Sequence, residues 1–251
     1  MRSLTVCGSA GTHPGPGAAC SAYLVEDDGF KVLLDCGNGS LANLQRSTDV
    51  ADIDAVVISH LHPDHIADLF GLYYALRFHP SGPRSVPVHG PPGLLVLLAL
   101  LIAEESRPTL ADHLAHVPTT AGATVELGPF RAAFGRANHP IAHPLTVRLE
   151  IGDSSLLFTG DTAPSDSVVA AATGVDLLVC DATWSARATG LPPGIHCTGT
   201  EAGEVAARAG VGRLLATHIL PTSDRQAIAD EARAAFDGDV IAAYDLLELQ
   251  W

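Results

Sequence analysis

His60-Leu61-His62-Pro63-Asp64-His65 follows directly on the run Ala55-Val56-Val57-Ile58-Ser59. That run has strand length and is almost wholly apolar, which suits a strand buried on both faces. Three imidazoles and a carboxylate in the next six residues cannot all enter a core without partners. Residues i and i+2 of an extended turn, here His60 and His62, can converge on one cation. Asp64 and His65 can then face a second cation beside the first. Nitrogen and carboxylate-oxygen donors of this kind suit Zn²⁺, with Mn²⁺ or Fe²⁺ as alternatives where the geometry allows.

A two-cation site needs more ligands, and they should lie at the ends of other strands. Phe158-Thr159-Gly160-Asp161-Thr162 ends a strand with an aspartate able to bridge two cations. Ala216-Thr217-His218-Ile219 ends another with a histidine, and Ala137-Asn138-His139-Pro140 offers one more imidazole. His143, also followed by proline, is the alternative to His139. The surrounding chain alternates strands and helices. Strands are expected at Leu4–Cys7, Ala22–Val25, Lys31–Asp35, Phe130–Ala137, Thr146–Ile151, Ser155–Thr159, Leu177–Cys180 and Arg213–Thr217. Helices are expected from Ile66 to about Phe78, over the apolar stretch Leu94–Ala103, from Thr198 to Ala209 and from Ser223 to Phe236. Thr198 or Thr200 is the expected cap of the third and Ser223 of the fourth. Pro80 to Gly93 reads as a Pro- and Gly-rich connection.

The chain has 251 residues and 47% of them are apolar against 17% charged. It can bury a large core, so wholesale disorder is excluded, and one domain over residues 1–251 is expected. The net charge is −14. A non-specific nucleic-acid binder needs a basic face, so nucleic acid is disfavoured as a partner and a small substrate is favoured. Met1-Arg2-Ser3-Leu4-Thr5-Val6 runs straight into a strand-like segment with no secretion signal, and the longest apolar window is too short for a membrane span. The five cysteines, Cys7, Cys20, Cys36, Cys180 and Cys197, are scattered and odd in number. They read as reduced thiols of a cytoplasmic protein.

The ordered set of HxHxDH, a lone histidine, Thr159-Gly160-Asp161-Thr162 and the late Thr217-His218-Ile219 resembles the metallo-β-lactamase superfamily. Leu34-Asp35-Cys36-Gly37-Asn38-Gly39 is similar to its DxGxG loop. The resemblance covers nearly the whole chain and implies an α/β fold, the four-layered αββα sandwich with metals at one edge. It implies two divalent cations. His60, His62 and His139 would hold the first; Asp64, His65 and His218 the second; Asp161 would bridge.

Val179-Cys180-Asp181-Ala182-Thr183-Trp184 and His196-Cys197-Thr198-Gly199-Thr200-Glu201-Ala202-Gly203 resemble, within that superfamily, the ribonuclease Z-like phosphodiesterases. The likeness is strongest to an atypical cyclic-AMP phosphodiesterase type of actinobacteria. It implies hydrolysis of a small cyclic nucleotide, 3′,5′-cyclic AMP first, by a metal-activated hydroxide, with Asp64 a catalytic residue as well as a ligand. A leaving alkoxide needs a proton, and His196 is the candidate donor because a neutral-range imidazole suits that task. Asp181 would orient His196, in place of the glutamate usual in this branch and one methylene shorter. The branch also implies a homodimer, with Leu94–Ala103 as core cover or as the dimer face. The same metal ligands would serve an ester, lactone or thioester hydrolase. A transfer-RNA ribonuclease needs a basic gripping arm, and Ser81 to Pro118 holds only Arg84 and Arg107 as basic residues. Trp184 reads equally as core packing or as a stacking surface for a base. His13 reads as a loop residue, with a place in the pocket lining as the alternative, His79, His89, His113 and His116 as surface residues, and Arg148 as a strand-surface salt bridge.

Overall fold

The computed structural model describes residues 2–251. Fourteen strands form two seven-stranded mixed sheets. The first holds β1 (Ser3–Gly8), β2 (Ala22–Asp27), β3 (Phe30–Leu34), β4 (Ala55–Val57), β5 (Val86–Gly90) and β6 (Leu114–Pro118), with β14 (Glu248–Gln250) added at the β1 edge. The second holds β7 (Thr124–Leu127), β8 (Phe130–Arg136), β9 (Leu145–Ile151), β10 (Ser154–Phe158), β11 (Leu177–Asp181), β12 (Arg213–Thr217) and β13 (Asp239–Ala242), side by side in chain order. Each sheet begins as antiparallel hairpins and continues as parallel strands, β3 to β6 in one and β10 to β13 in the other.

Parallel strands need crossover connections, and these carry the helices onto the outer faces. The first sheet is covered by α1 (Ser40–Ser47), α2 (Pro63–Ile66), α3 (Leu69–Arg77), α4 (Leu94–Leu98) and α5 (Leu110–His113). The second is covered by α6 (Asp166–Ala172), α7 (Gly199–Ala209) and α8 (Arg225–Ala235). Three apolar layers follow. Leu33, Val56, Leu72 and Leu76 pack under the first helices. Leu4, Val25, Val57, Phe130, Val147 and Leu156 fill the space between the sheets. Leu178, Leu214, Val205 and Ile228 pack under the second helices. This is the αββα sandwich expected from the motifs. Among the described residues no helix is long and apolar enough to cross a membrane.

Local differences have local causes. The helix expected from Ile66 to Phe78 begins earlier, at Pro63, and is broken at Asp68. The Asp68 N–H donates to the Cys36 carbonyl (3.0 Å) and its carboxylate accepts from the Leu41 N–H (2.9 Å), which ties that residue to the loop after β3. The apolar stretch Leu94–Ala103 is helical only to Leu98, then tightens into i→i+3 bonds at Leu100 and Leu101. Val96, Leu100 and Leu101 are exposed. The cap of α8 is Asp224 rather than Ser223: its Oδ1 accepts from the N–H groups of Gln226 (2.9 Å) and Ala227 (3.2 Å). Thr198 caps α7 in a reciprocal box with Glu201. The stretch Pro80–Gly93 contains β5, whose Pro87 is exposed.

Candidate metal centre

The parallel strands of both sheets point their C-terminal ends at one edge of the sandwich, where αβ folds place their sites. Asp35 follows β3; Ser59, His60, His62, Asp64 and His65 follow β4; Asp161 follows β10; Asp181 ends β11; His218 follows β12. Gly160 has φ 57°, and a Cβ there would lie 2.9 Å from the Ser59 Cβ. A side chain at that position would therefore push the strand end carrying Asp161 away from the HxHxDH turn. Gly37 is equally constrained: a Cβ would lie 2.0 Å from the Asp64 carbonyl oxygen.

Three groups of side chains converge around Asp161. His60, His62, His139 and Asp161 form one, Asp64, His65, Asp161 and His218 the second, and Asp161, Asp181, His196 and His218 a third that overlaps the second; within each, the donor atoms lie within 4.8 Å of one another. The seven residues expected as ligands are thus brought together. His143, the alternative to His139, is exposed and belongs to none of these groups.

The hydrogen bonds behind the rings fix which nitrogen faces inward. His65 Nδ1 lies 2.6 Å from Asp35 Oδ2 and donates to it. Ser59 Oγ donates to the same oxygen (2.8 Å) and so accepts from His60 Nδ1 (3.1 Å). Thr183 Oγ donates to Asp181 Oδ1 (2.6 Å) and so accepts from His218 Nδ1 (2.8 Å). His139 Nδ1 donates to the Ile195 carbonyl (2.8 Å). These bonds place a proton on Nδ1 of four rings and turn their four Nε2 atoms toward the clusters, where a cation would take the Nε2 lone pairs. His65 Nε2 and His218 Nε2 are 3.2 Å apart, and His60 Nε2 and His139 Nε2 each stand 3.1 Å from His62 Nδ1. Bare nitrogens at that separation repel unless a cation lies between them, and ligands about 2.0–2.1 Å from one tetrahedral zinc would be spaced only slightly farther apart. Asp161 Oδ1 is buried and accepts no well-aligned hydrogen bond, although His65 Nε2 and His218 Nε2 lie 3.0 and 3.1 Å away. The donor set and this orphaned oxygen both fit divalent cations.

The charges packed around these groups also shift their ionisation. Burial pushes the His60 imidazole well below its ordinary range, and the nearby His65 adds to that. Burial also acts to lower His65 and His218, but the carboxylates facing them win and both are raised: Asp161 and Asp35 around His65, Asp161, Asp64 and Asp181 around His218. Asp161 is held well below the carboxylate range: burial opposes this, and His218, His65 and His60 together overcome it. Asp64 is lowered against its burial in the same way, chiefly by His218 and His65; it also accepts from the Thr12 N–H (2.8 Å).

His196 lies over the same edge. Its ring centroid is 5.3 Å from that of His139 and 5.2 Å from that of His218. Nδ1 donates to Asp181 Oδ2 (2.8 Å), so the shorter aspartate does reach. Asp181 is fully buried and also accepts from Thr162 N–H (2.9 Å) and Thr183 N–H (3.0 Å).

Asp35, Ser59 and Thr183, and the Ile195 carbonyl, are supports that the sequence reading assigned no part. Asp35 was within reach of it, since it opens the DxGxG loop; Thr183 stands in the Asp181–Trp184 segment. Of the other histidines, His89 is buried rather than on the surface. His13 is exposed and bonded to the Pro14 carbonyl (3.1 Å). Arg148 pairs with Glu150 (2.8 Å) and takes no part in the site.

Residues 31–219 match the family model described as Beta-lactamase superfamily domain. The chain belongs to the metallo-β-lactamase superfamily. Within that superfamily it is 38% identical over 253 residues to the uncharacterized protein Rv1339 of Mycobacterium tuberculosis, covering 95% of this chain and 88% of that protein. It is 30% identical over 240 residues to the probable metallo-hydrolase YhfI of Bacillus subtilis (94% and 95% covered). It is 30% identical over 298 residues to Ribonuclease Z of Haloferax volcanii (98% and 94% covered). The YhfI crystal structure superposes with a TM-score of 0.88 over 100% of both chains at 27% identity. Human tRNase Z, short form, shares the fold with a TM-score of 0.81 at 22% identity over 99% and 98% of the chains. This metallo-β-lactamase-fold protein is a metal-dependent hydrolase.

Proposed function

We propose that the protein is a phosphodiesterase for a small cyclic nucleotide, with 3′,5′-cyclic AMP as the leading substrate. One observation carries the reading: an imidazole, His196, stands over both clusters and is clamped at Nδ1 by the buried Asp181. His60, His62 and His139 would hold one cation and Asp64, His65 and His218 the other, with Asp161 between; the donor set suits Zn²⁺. Divalent cations held there would supply an activated water and would neutralise charge on the phosphoryl oxygens.

The chain's own residues supply the rest. Asp181 accepts the Nδ1–H of His196, so the exchangeable proton sits at Nε2. A protonated His196 can pass that proton to the departing alkoxide, while Asp181 stabilises the imidazolium and holds its orientation. Asp64, kept ionised by its histidine neighbours, is the carboxylate placed to take the proton of the attacking water. An alkoxide leaving group needs this donor and a thiolate does not, which separates the reading from a thioester hydrolase; esters and lactones also expel alkoxides, and the turnover test decides between them and a phosphodiester. A transfer-RNA substrate finds support in the relatives named ribonuclease Z. The net charge of −14 and the lack of a basic arm weigh against it.

The test is turnover of 3′,5′-cyclic AMP by protein loaded with Zn²⁺ or Mn²⁺, beside His196→Ala. Turnover that falls by about 10²–10⁴-fold in the variant, the usual worth of a general acid, supports the assignment. A fully loaded wild-type protein that cleaves lactones and no phosphodiester overturns it.

A further inference from the structure

A cleft of about 200 Å³ opens beside His196. Trp184 forms one wall, and the loop through Leu191, Pro192 and Pro193 forms another; Glu201 contributes a carboxylate. The Trp184 ring stands at 89° to the His196 ring with centroids 5.0 Å apart. Trp184 is half-buried, which leaves part of a large aromatic surface open. Its backbone is fixed on both sides: its N–H donates to the Cys197 carbonyl (3.3 Å), and its carbonyl accepts from the Gly199 N–H (2.9 Å). The main chain that carries the indole is therefore held at a set place relative to the proton donor. The loop is held too, since the Ile195 carbonyl accepts from His139 Nδ1 and the hydroxyl of Ser185, at the loop's start, donates to Glu231 (2.5 Å).

Glu201 gives the cleft its chemical sign. Oε2 accepts from the Thr198 N–H (2.8 Å) and hydroxyl (2.9 Å), which closes the cap of α7. Oε1 has no such partner among the described residues and remains as a hydrogen-bond acceptor. An aromatic plate flanked by prolines, with one anionic acceptor and no lysine or arginine, does not suit a phosphate. It suits a flat heterocycle that presents an N–H donor, since every base has a π-face that can stack on an aromatic side chain.

We infer that this cleft is the base subsite of the enzyme: Trp184 stacks the purine of the substrate and Glu201 accepts from an exocyclic amino group, so adenine is preferred over hypoxanthine. The inference rests on the phosphodiesterase reading and narrows it to a purine bearing an amine. Hypoxanthine carries a carbonyl where adenine carries the amine, and a carboxylate faces that carbonyl unfavourably.

The experiment has two arms. In the first, binding of adenosine, which has no phosphate, is measured by titration calorimetry on the metal-loaded wild type, Trp184→Ala and Trp184→Phe. Binding that weakens at least ten-fold in Trp184→Ala and is restored in Trp184→Phe supports the subsite, whether or not any diester is cleaved. Absence of adenosine binding to the wild type, or equal binding to all three, overturns it. The second arm compares kcat/KM for 3′,5′-cyclic AMP, 3′,5′-cyclic IMP and the abasic 1-deoxyribose 3′,5′-cyclic phosphate. Trp184→Ala should lower the ratio of cyclic AMP to the abasic diester at least ten-fold, through KM more than kcat. Glu201→Gln, which can keep the α7 cap, should shrink or reverse the preference for cyclic AMP over cyclic IMP. A preference that Glu201→Gln leaves intact removes Glu201 from the subsite. A wild type that binds adenosine but cleaves none of the three diesters keeps the subsite and rejects the phosphodiesterase reading.

Discussion

The two histidine clusters share Asp161 and differ in almost everything behind it. The cluster of Asp64, His65 and His218 is buried on every side. His65 is backed by the Asp35 carboxylate, and His218 by a Thr183 hydroxyl that is itself bonded to Asp181. The cluster of His60, His62 and His139 is more open: His62 is only half-buried, and its two neighbours are backed by a hydroxyl and a carbonyl. Anionic partners raise the basicity of a ligating imidazole, and burial strengthens every charge interaction. The deeper cluster should therefore hold its cation more tightly, while the open one should exchange with solvent and meet the substrate first.

The largest effect should come from the residue common to both. Asp161→Ala should strip metal from both clusters and lower hydrolysis by more than the 10–100-fold that loss of an outer partner usually costs. Metal analysis of the purified variant checks this, and retention of two equivalents would break the symmetry drawn around Asp161. Next comes Asp35→Asn, which keeps the shape and removes the charge behind His65. It should weaken the tighter of two binding steps by about 10–100-fold in a chelator competition. If the weaker step moves instead, the ranking of the clusters is reversed. His62→Ala should release one equivalent and leave the tight step in place. His143→Ala should change neither metal content nor rate, in contrast to His139→Ala, and a loss of metal from His143→Ala would exchange their assignments. The smallest effect belongs outside both clusters: Thr198→Ala removes the α7 cap and should cost about 1 kcal/mol in urea unfolding, with metal content unaltered.

Much of this centre is legible in the chain because its ligands follow apolar strands. A buried strand announces itself by composition, and polar residues at its end have few reasons to be there. His60 to His65, Asp161 and His218 could be read in that way. The supports were harder to read, because Asp35, Ser59 and Thr183 are ordinary residue types whose part depends on which ring lies behind them. The Ile195 carbonyl carries no side-chain signal at all. Among the elements, β5 was hidden by Pro87 and by the prolines and glycines flanking it, although an exposed strand position tolerates proline. The stretch Leu94–Ala103 differs in length: an all-apolar run reads as one helix serving as core cover or as a dimer face, and the structure ends the helix at Leu98 with Val96, Leu100 and Leu101 facing solvent. The cap at Asp224 shows how two adjacent capping residues cannot be ranked without the backbone.

Two of the residues around the deep cluster, Asp35 and His218, have φ of 58°, a left-handed conformation that non-glycine residues seldom adopt and that costs of order 1–3 kcal/mol each. Both stand where a chain leaving a strand turns sharply. Transplanting the ligands alone onto another scaffold would therefore deliver the right donors on the wrong trajectory. An engineer would have to carry the two bends with them, and a consensus-style replacement of either residue by glycine could harden the fold while disabling the catalyst. Here the heritable unit of the centre is a pair of bent strand ends as much as a set of side chains.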